Sequence, residues 1–263
     1  MSTPLIEAIT IYIENHITTF HSKRLERVRG LELNDILKRK NPYLFKAKHL
    51  ERAQDFVESI LGAFISSQEE TLFGDFLEGL AVYVAQVCFD ARKPHLEELT
   101  GIDLLLSKHG TLYIIEIKSG PNWGNASQVA KMVLNFKEAI DRLQAQSPYS
   151  AIVPVNGCMY GTGCNPHSIG KVKKGKEVIE QVPYMKLCGQ VFWEFISDVP
   201  SLYLDIIQPL GYRAKQRNDE YQLAYDKLLN RLSHRFMDDF CTMDGAIEWE
   251  RLVAFVSASS HSS

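Results

Sequence analysis

The chain has 263 residues, of which 45% are hydrophobic, and its formal net charge is −3. This length predicts one large domain, or a core with helical additions, and the apolar content is enough to build a hydrophobic core. No apolar run approaches the roughly 20 residues of a membrane-spanning helix, and the N-terminus lacks the basic and then apolar pattern of a secretory signal, so we expect a cytoplasmic protein.

Helices are predicted for the N-terminal third of the chain. Apolar residues recur every three or four positions in residues 4–20 and again in residues 47–65. Asn41-Pro42 marks a break between the two segments. From His21 to Arg52, ten Lys and Arg residues outnumber four acidic residues. Such a basic stretch either neutralises nucleic-acid phosphates or forms ordinary solvated helix faces.

Residues 70–89 predict a further, strongly apolar helix. Glu78 lies off the apolar stripe of this helix, on the same side as Asp75. An acidic side chain in that position either contributes to a functional site or faces solvent, and the pattern favours neither.

A β-hairpin is predicted for Gly101–Gly120. Ile102–Ser107 is a short apolar run, and Thr111–Ile117 is rich in β-branched and aromatic residues, which is the usual composition of strands. His109-Gly110 separates the two runs. A glycine at the second loop position suits a tight turn that needs a positive φ.

The register of this hairpin brings acidic side chains together. With Lys108 opposite Thr111, Asp103 falls directly opposite Glu116, and residues paired in this way have Cβ atoms about 4.5–5.5 Å apart. Lys118 points to the same face as Glu116 because strand side chains alternate. Two carboxylates that close repel each other unless a cation lies between them.

This group of side chains suits a magnesium site. Mg²⁺ takes one or two carboxylates and keeps several waters, which leaves room for a phosphate oxygen and an attacking water. Lys118 would hold that water or help to deprotonate it, because a buried lysine shifts its pKa readily. The alternative is an ordinary Glu116–Lys118 ion pair on a solvated strand face, which the in-register Asp103 disfavours.

The segments after the hairpin predict the rest of a mixed sheet with its helices. A loop around Trp123 leads to an amphipathic helix at 129–144 and a strand at 151–160. The Gly- and Lys-rich stretch 161–181 predicts a flexible arm that contacts DNA. The remaining predicted helices are 184–196, 200–209 and 219–256.

The loop and the arm carry candidate DNA contacts. Loops that leave the end of a catalytic strand are natural places to touch substrate, and lysines neutralise phosphates. Turn chemistry and an N-cap from Asn125 or Ser127 explain the polar loop residues equally well. The candidates are Asn122, Trp123, Asn125 and Gln128 in the loop and Lys171, Lys173 and Lys174 in the arm.

Five scattered cysteines indicate free thiols in a cytoplasmic chain. Four metal-binding side chains do lie within one part of the sequence, and their spacing lacks the close cysteine pair that is typical of zinc sites. They are Cys158, Cys164, His167 and Cys188. The sequence leaves zinc binding by these residues open.

The hairpin resembles the PD-(D/E)XK nuclease superfamily, in which an Asp precedes a Glu-x-Lys at a strand end. Ile102 stands where that signature has a proline. Longer phrases are similar to the PmeII-type type II restriction endonucleases, and they span most of the chain. They are Lys40–Lys48, Lys118–Asn125, Leu187–Gln190 and Phe192–Ile196.

The resemblance implies an α/β fold with a PD-(D/E)XK restriction-endonuclease-like core, a mixed central sheet flanked by helices, and added helices at both ends. It also implies roles for single residues. Asp103 and Glu116 would be the metal-binding carboxylates and Lys118 the catalytic lysine. The main-chain carbonyl of Ile117 and the carboxylate of Glu78 would be further metal ligands.

We therefore predict a Mg²⁺-dependent type II restriction endonuclease that hydrolyses double-stranded DNA at a short palindromic site. It would act as a homodimer, with a cognate DNA methyltransferase as its genetic partner. The predicted regions are a helical N-terminal part at 1–68, a nuclease core at 69–215 and a helical C-terminal part at 216–263.

Two alternatives to this function stay open. One is a structure- or end-specific DNA repair nuclease of the same fold. The other is a non-catalytic DNA-binding module, which the intact set of Asp103, Glu116 and Lys118 disfavours.

Overall fold

The structure, a computed structural model, describes residues 4–95, 97–144, 149, 151–175 and 177–258. Its helices are α1 (Pro4–Gly30), α2 (Leu33–Leu37), α3 (Pro42–Ala47), α4 (Ala53–Cys88), α5 (Ala126–Gln144), α6 (Gln190–Phe195), α7 (Leu202–Asp205), α8 (Ile207–Leu210), α9 (Ala214–Phe240) and α10 (Trp249–Ser257). Its strands are β1 (Asp90–Arg92), β2 (Leu104–Lys108), β3 (Thr111–Lys118), β4 (Ala151–Cys158), β5 (Asn165–Lys174) and β6 (Glu177–Cys188).

The strands form one six-stranded mixed sheet in the order β1-β2-β3-β4-β6-β5. The central pairs β3–β4 and β4–β6 are parallel, and the outer pairs are antiparallel. One face of the sheet packs into a core with residues of α1 and α4, and the other face packs against α5. The predicted α/β class, with a mixed central sheet flanked by helices, is confirmed.

The chain divides into two compact units. The first combines Met1–His16 with Gly74–Tyr212 and holds the sheet and α5. The second, called the helical unit below, combines Ile17–Phe73 with Arg213–Ser263. It has a hydrophobic core of its own, in which Phe56 and Phe236 are fully buried and stack with ring centroids 4.6 Å apart. The division into regions 1–68, 69–215 and 216–263 stays a prediction.

The predicted hairpin forms in the predicted register. Lys108 pairs with Thr111 and Leu104 pairs with Ile115. His109 and Gly110 have φ values of 52° and 75°, and two positive φ values in a two-residue loop are the mark of a type I′ turn. The turn thus fixes the pairing of every residue along both strands.

The predicted N-terminal helices are longer in the structure. The helix predicted at 4–20 continues to Gly30 as α1, and those predicted at 47–65 and 70–89 are joined in the 36-residue α4. Residues 66–69 are polar and contain neither Pro nor Gly, so nothing there ends a helix. Polarity in this stretch marks an exposed turn of α4 and not a linker.

The prediction of a flexible arm at 161–181 is wrong for the described residues, because β5 and β6 pair there as antiparallel strands. Gly170 explains how α5 packs on β5. A Cβ at this position would lie 2.2 Å from a Val133 methyl group, so glycine allows the helix to lie on the strand. The helix predicted at 184–196 is half wrong. Its first residues end β6, and α6 starts after Gly189, whose φ is 54°.

The helix predicted at 219–256 is also divided in the structure. It consists of α9 and α10, separated by the turn around Gly245, whose φ is 85°. The helix predicted at 200–209 is present as two short pieces, α7 and α8.

By length and composition alone, α4 is apolar enough to cross a membrane, with a mean hydropathy of 1.2 in its most apolar window. Core helices of water-soluble proteins meet the same criterion. α4 contributes Phe56 and Ile60 to the core of the helical unit and Leu80 and Val84 to the core beneath the sheet. This composition is therefore weak support for a membrane span.

Candidate active site

Asp103 and Glu116 lie at the end of the β2–β3 hairpin. Asp103 directly precedes β2, and its backbone N–H donates to the Ile115 carbonyl at 2.9 Å, which extends the ladder by one residue. Its Oδ2 accepts a hydrogen bond from the Ile117 N–H at 2.7 Å. The hairpin backbone therefore holds the Asp103 side chain against β3, beside Glu116.

Glu116 is a buried carboxylate with one satisfied oxygen. Only 7% of the residue is exposed. Its Oε1 lies 2.6 Å from the Lys118 Nζ, as expected for two side chains on one face of a strand. Its Oε2 is buried and has no hydrogen-bond partner in the described part of the chain. A buried carboxylate oxygen without a partner is costly and is available to a ligand.

The electrostatic environment of Asp103 is unfavourable for its charge. Burial and the negative charge of Glu78, in that order, raise the pKa of Asp103 from 3.8 to about 6. The hydrogen bond from Ile117 and the charge of Lys118 act in the opposite direction, and the charge of Glu116 adds to the rise. Desolvation together with like charges is the combination that a cation relieves.

Glu78 reaches this site from α4 and is held there by a lysine. It is half-buried, and its Oε1 lies 2.7 Å from the Lys93 Nζ. The hydrogen bond with Glu78, with smaller contributions from the charges of Asp103 and Asp75, raises the pKa of Lys93. Lys93 is a site residue that sequence reasoning missed, because nothing in the polar stretch after β1 distinguishes it.

Trp123 and Asn156 form a second support for the lysine of the hairpin. The Lys118 Nζ lies 4.9 Å from the centroid of a Trp123 ring, within range of a cation–π interaction. Trp123 Nε1 donates to Asn156 Oδ1 at 3.2 Å. Asn156 is 2% exposed and pairs with Glu116 across β3 and β4. The one feature of the sequence that could have identified Asn156 is that it is a polar residue within an apolar strand.

Asn125 and Gln128 are engaged in capping α5. Asn125 Oδ1 accepts from the N–H groups of Ser127 and Gln128 at 3.0 and 3.1 Å. Gln128 Oε1 accepts in return from the Asn125 N–H at 2.9 Å. This reciprocal pair is a capping box, so the expected N-cap at Asn125 is present. Asn122 is exposed.

The lysines of the predicted arm lie on β5, an edge strand of the sheet. Lys171 and Lys173 are exposed. Lys174 ends the strand, and its side chain lies outside the described residues. DNA contact by these lysines and by the loop residues stays a prediction.

Among the described residues, no group of three or more His, Cys, Asp or Glu side chains is arranged to hold a metal ion. The zinc group is accordingly not assembled as a metal site. Cys158 and Cys188 are buried side by side on β4 and β6, Cys164 Sγ accepts a hydrogen bond from the Cys188 N–H at 3.1 Å, and His167 is exposed. A site at the hairpin end would rest on two carboxylates and a backbone carbonyl. That donor set suits Mg²⁺, which keeps several of its waters.

A family model described as type II restriction endonuclease EcoO109I matches residues 7–218. Curated proteins gave no match to the chain. The matched range covers well over half of the 263 residues and includes the hairpin and α4.

Proposed function

The chain belongs to the type II restriction endonuclease EcoO109I family, and on that premise we propose that it hydrolyses phosphodiester bonds in double-stranded DNA at a short specific site, in a reaction that depends on Mg²⁺. Family membership makes it a DNA endonuclease. The metal, the specificity and the roles of single residues are the proposal. The observation that carries it is the cluster of Asp103, Glu116 and Lys118 at one end of the hairpin.

The charges of the cluster support a divalent cation there. Glu116 Oε2 is buried without a partner in the described chain, and Asp103 is hard to ionise beside Glu78. Asp103, Glu116 and the carbonyl of Ile117 would hold the Mg²⁺, and Glu78 would contribute after release from Lys93. When bound there, Mg²⁺ would supply Lewis-acid chemistry: it would lower the pKa of a water and offset the charge on the leaving oxygen.

The protein groups around this centre have separate tasks. Lys118 Nζ holds the water that attacks phosphorus or helps to deprotonate it. Trp123 and Asn156 keep Lys118 in position through the ring contact and the indole hydrogen bond. The apolar strands β2 and β3 fix the spacing of the carboxylates, which leaves little to be ordered when substrate binds.

The finer parts of the assignment follow from sequence resemblance. We assign the site to the PD-(D/E)XK superfamily and the chain to its PmeII-type members. We expect a homodimer that acts on a palindrome, because a protein with two-fold symmetry matches a DNA site with two-fold symmetry. The expected cellular setting is the cytoplasm, with a cognate DNA methyltransferase to protect the host sites.

Digestion of phage DNA in the presence of Mg²⁺ tests the proposal. We expect discrete bands that disappear with EDTA. A continuous smear, or trimming from the ends, would instead support the repair nuclease.

Glu116→Gln is the matched variant, because it keeps the size of the side chain and removes its charge. We expect it to bind DNA and fail to cut. Cutting at the wild-type rate would remove Glu116 from the site, and binding without cutting by the wild type would support the non-catalytic module.

A further inference from the structure

An open groove of about 640 Å³ lies in the helical unit. Its walls come from the end of α1, the segment after α2 and the middle of α4. Three of its lining residues are cationic, namely Arg27, Arg39 and Lys40, and no acidic residue lines it in the described chain. Leu31 and Phe64 form an apolar, buried part of the wall.

The three cations are held by uncharged groups. Lys40 Nζ donates to the Ala63 carbonyl at 2.8 Å, and Arg27 Nη1 donates to the Gln68 carbonyl at 3.4 Å. Lys40 Nζ lies 5.9 Å from the centroid of the Phe64 ring, and the Arg39 guanidinium carbon lies 6.0 Å from it. These contacts fix the charged groups at the groove without neutralising them.

Other arginines of the same unit are neutralised. Arg24 pairs with Glu69, and Arg231 and Arg235 both pair with Glu32, each at 2.8 Å. In the described residues, none of the three groove cations makes an ion pair with a carboxylate. Several arginines of the unit are therefore compensated by carboxylates, whereas the three cations that line this one groove are not.

Such a groove suits a phosphate backbone. Guanidinium groups match phosphate oxygens in a fork geometry. The hydroxyls of Ser67 and Thr71 donate to carbonyls of α4 at 3.1 Å, so the cations are the donors that a ligand meets. Arg27 and Arg39 are exposed on an open groove. An open groove suits a polymer that passes across it better than a small anion, which would have to be enclosed.

We propose that this groove binds backbone phosphates of DNA. The proposal rests on the DNA endonuclease function above, and it adds to that function a sequence-independent contact outside the sheet-containing unit. Arg27 and Arg39 provide the phosphate contacts. Lys40 supports them, and its ammonium also ties the segment after α2 to α4.

The double variant Arg27→Gln/Arg39→Gln tests this assignment by fluorescence anisotropy with a labelled duplex in EDTA. Each phosphate contact contributes about 0.9 to the slope of log K against log salt, so the slope should fall by about two. Between 50 and 200 mM salt, the variant should then lose about tenfold less affinity than the wild type. Duplexes of unrelated sequence should show the same change.

Lys48→Gln/Lys215→Gln is the matched control. Both lysines are exposed in the helical unit and lie outside the groove, and their removal changes the net charge by the same amount. The control should keep the wild-type slope. We expect both variants to fold, because neither removes the Lys40 contacts. Circular dichroism melting of both variants checks this.

A slope for the groove variant that equals that of the control overturns the assignment. Cleavage at saturating DNA separates this outcome from failure of the proposed function. If the wild type cleaves DNA and the salt slope of the groove variant equals that of the control, only the groove assignment is refuted. A reduced slope in the groove variant, without any cleavage by the wild type, supports the groove and refutes the endonuclease.

Discussion

Replacing Asp103 with Asn should stabilise the metal-free protein while it destroys the nuclease. Burial and the charge of Glu78 oppose the ionised Asp103 in the folded state. Asparagine has nearly the same shape and keeps an oxygen that accepts the hydrogen bond from the Ile117 N–H. The variant thus removes the unfavourable charge and retains the favourable contact.

The folded-state pKa of Asp103 sets the size and the sign of this effect. The pKa rises from 3.8 to about 6 on folding, and each pKa unit corresponds to about 1.4 kcal/mol. Ionised Asp103 therefore reduces the free energy of unfolding by about 3 kcal/mol above pH 6. Because the raised pKa favours the protonated folded state, the wild type loses this amount progressively as the pH rises from about 4 to 6.

Urea denaturation in EDTA at several pH values measures the difference. We expect Asp103→Asn to exceed the wild type by about 3 kcal/mol at pH 7.5 and by about half of that at pH 5. Asp90→Asn is the control, because Asp90 is an exposed carboxylate on β1 of the same unit. A gap that is absent, or that does not grow with pH, would refute the electrostatic account of the site.

Three further changes test the neighbouring groups. Lys118→Met should slow single-turnover cleavage by about 10²–10⁴-fold, with DNA binding in Ca²⁺ unchanged, and a rate close to wild type would exclude Lys118 from the chemistry. Trp123→Phe should lower the free energy of unfolding by about 1–3 kcal/mol, because the buried Asn156 Oδ1 loses its indole donor; equal urea midpoints would show that this hydrogen bond contributes nothing. Lys93→Met should lower the Mg²⁺ concentration for half-maximal cleavage, because Glu78 is freed from its ion pair, and an unchanged Mg²⁺ titration would place Glu78 outside the metal site.

The hairpin could be predicted from the sequence because its determinants are local. Strand composition, the turn at His109-Gly110 and the alternation of side chains together fix the register. The register alone then brings Asp103 to Glu116. No long-range information is needed for that step, since the two residues are 13 positions apart in a single supersecondary unit.

The parts of the site that were missed depend on contacts between distant segments. Lys93 reaches Glu78 only because β1 joins the sheet next to β2 and brings the following residue to α4. Asn156 becomes a partner of Trp123 only when β4 pairs in parallel with β3. Sequence spacing carries no signal for either contact. The helix predicted at 184–196 failed for a related reason, since pairing with β4 holds its first residues in β6.

The charges at the hairpin end are arranged for binding more than for stability. Each of two buried or half-buried acids has a single lysine as its partner, Lys118 for Glu116 and Lys93 for Glu78. Asp103 has no such partner among the ion pairs of the described residues, and its only close donor is a backbone N–H. Folding alone would favour an apolar or neutral side chain at that position. A carboxylate there is explained if a cation outside the chain completes the site, and the stability gained by Asp103→Asn in EDTA should then be lost when Mg²⁺ binds the wild type.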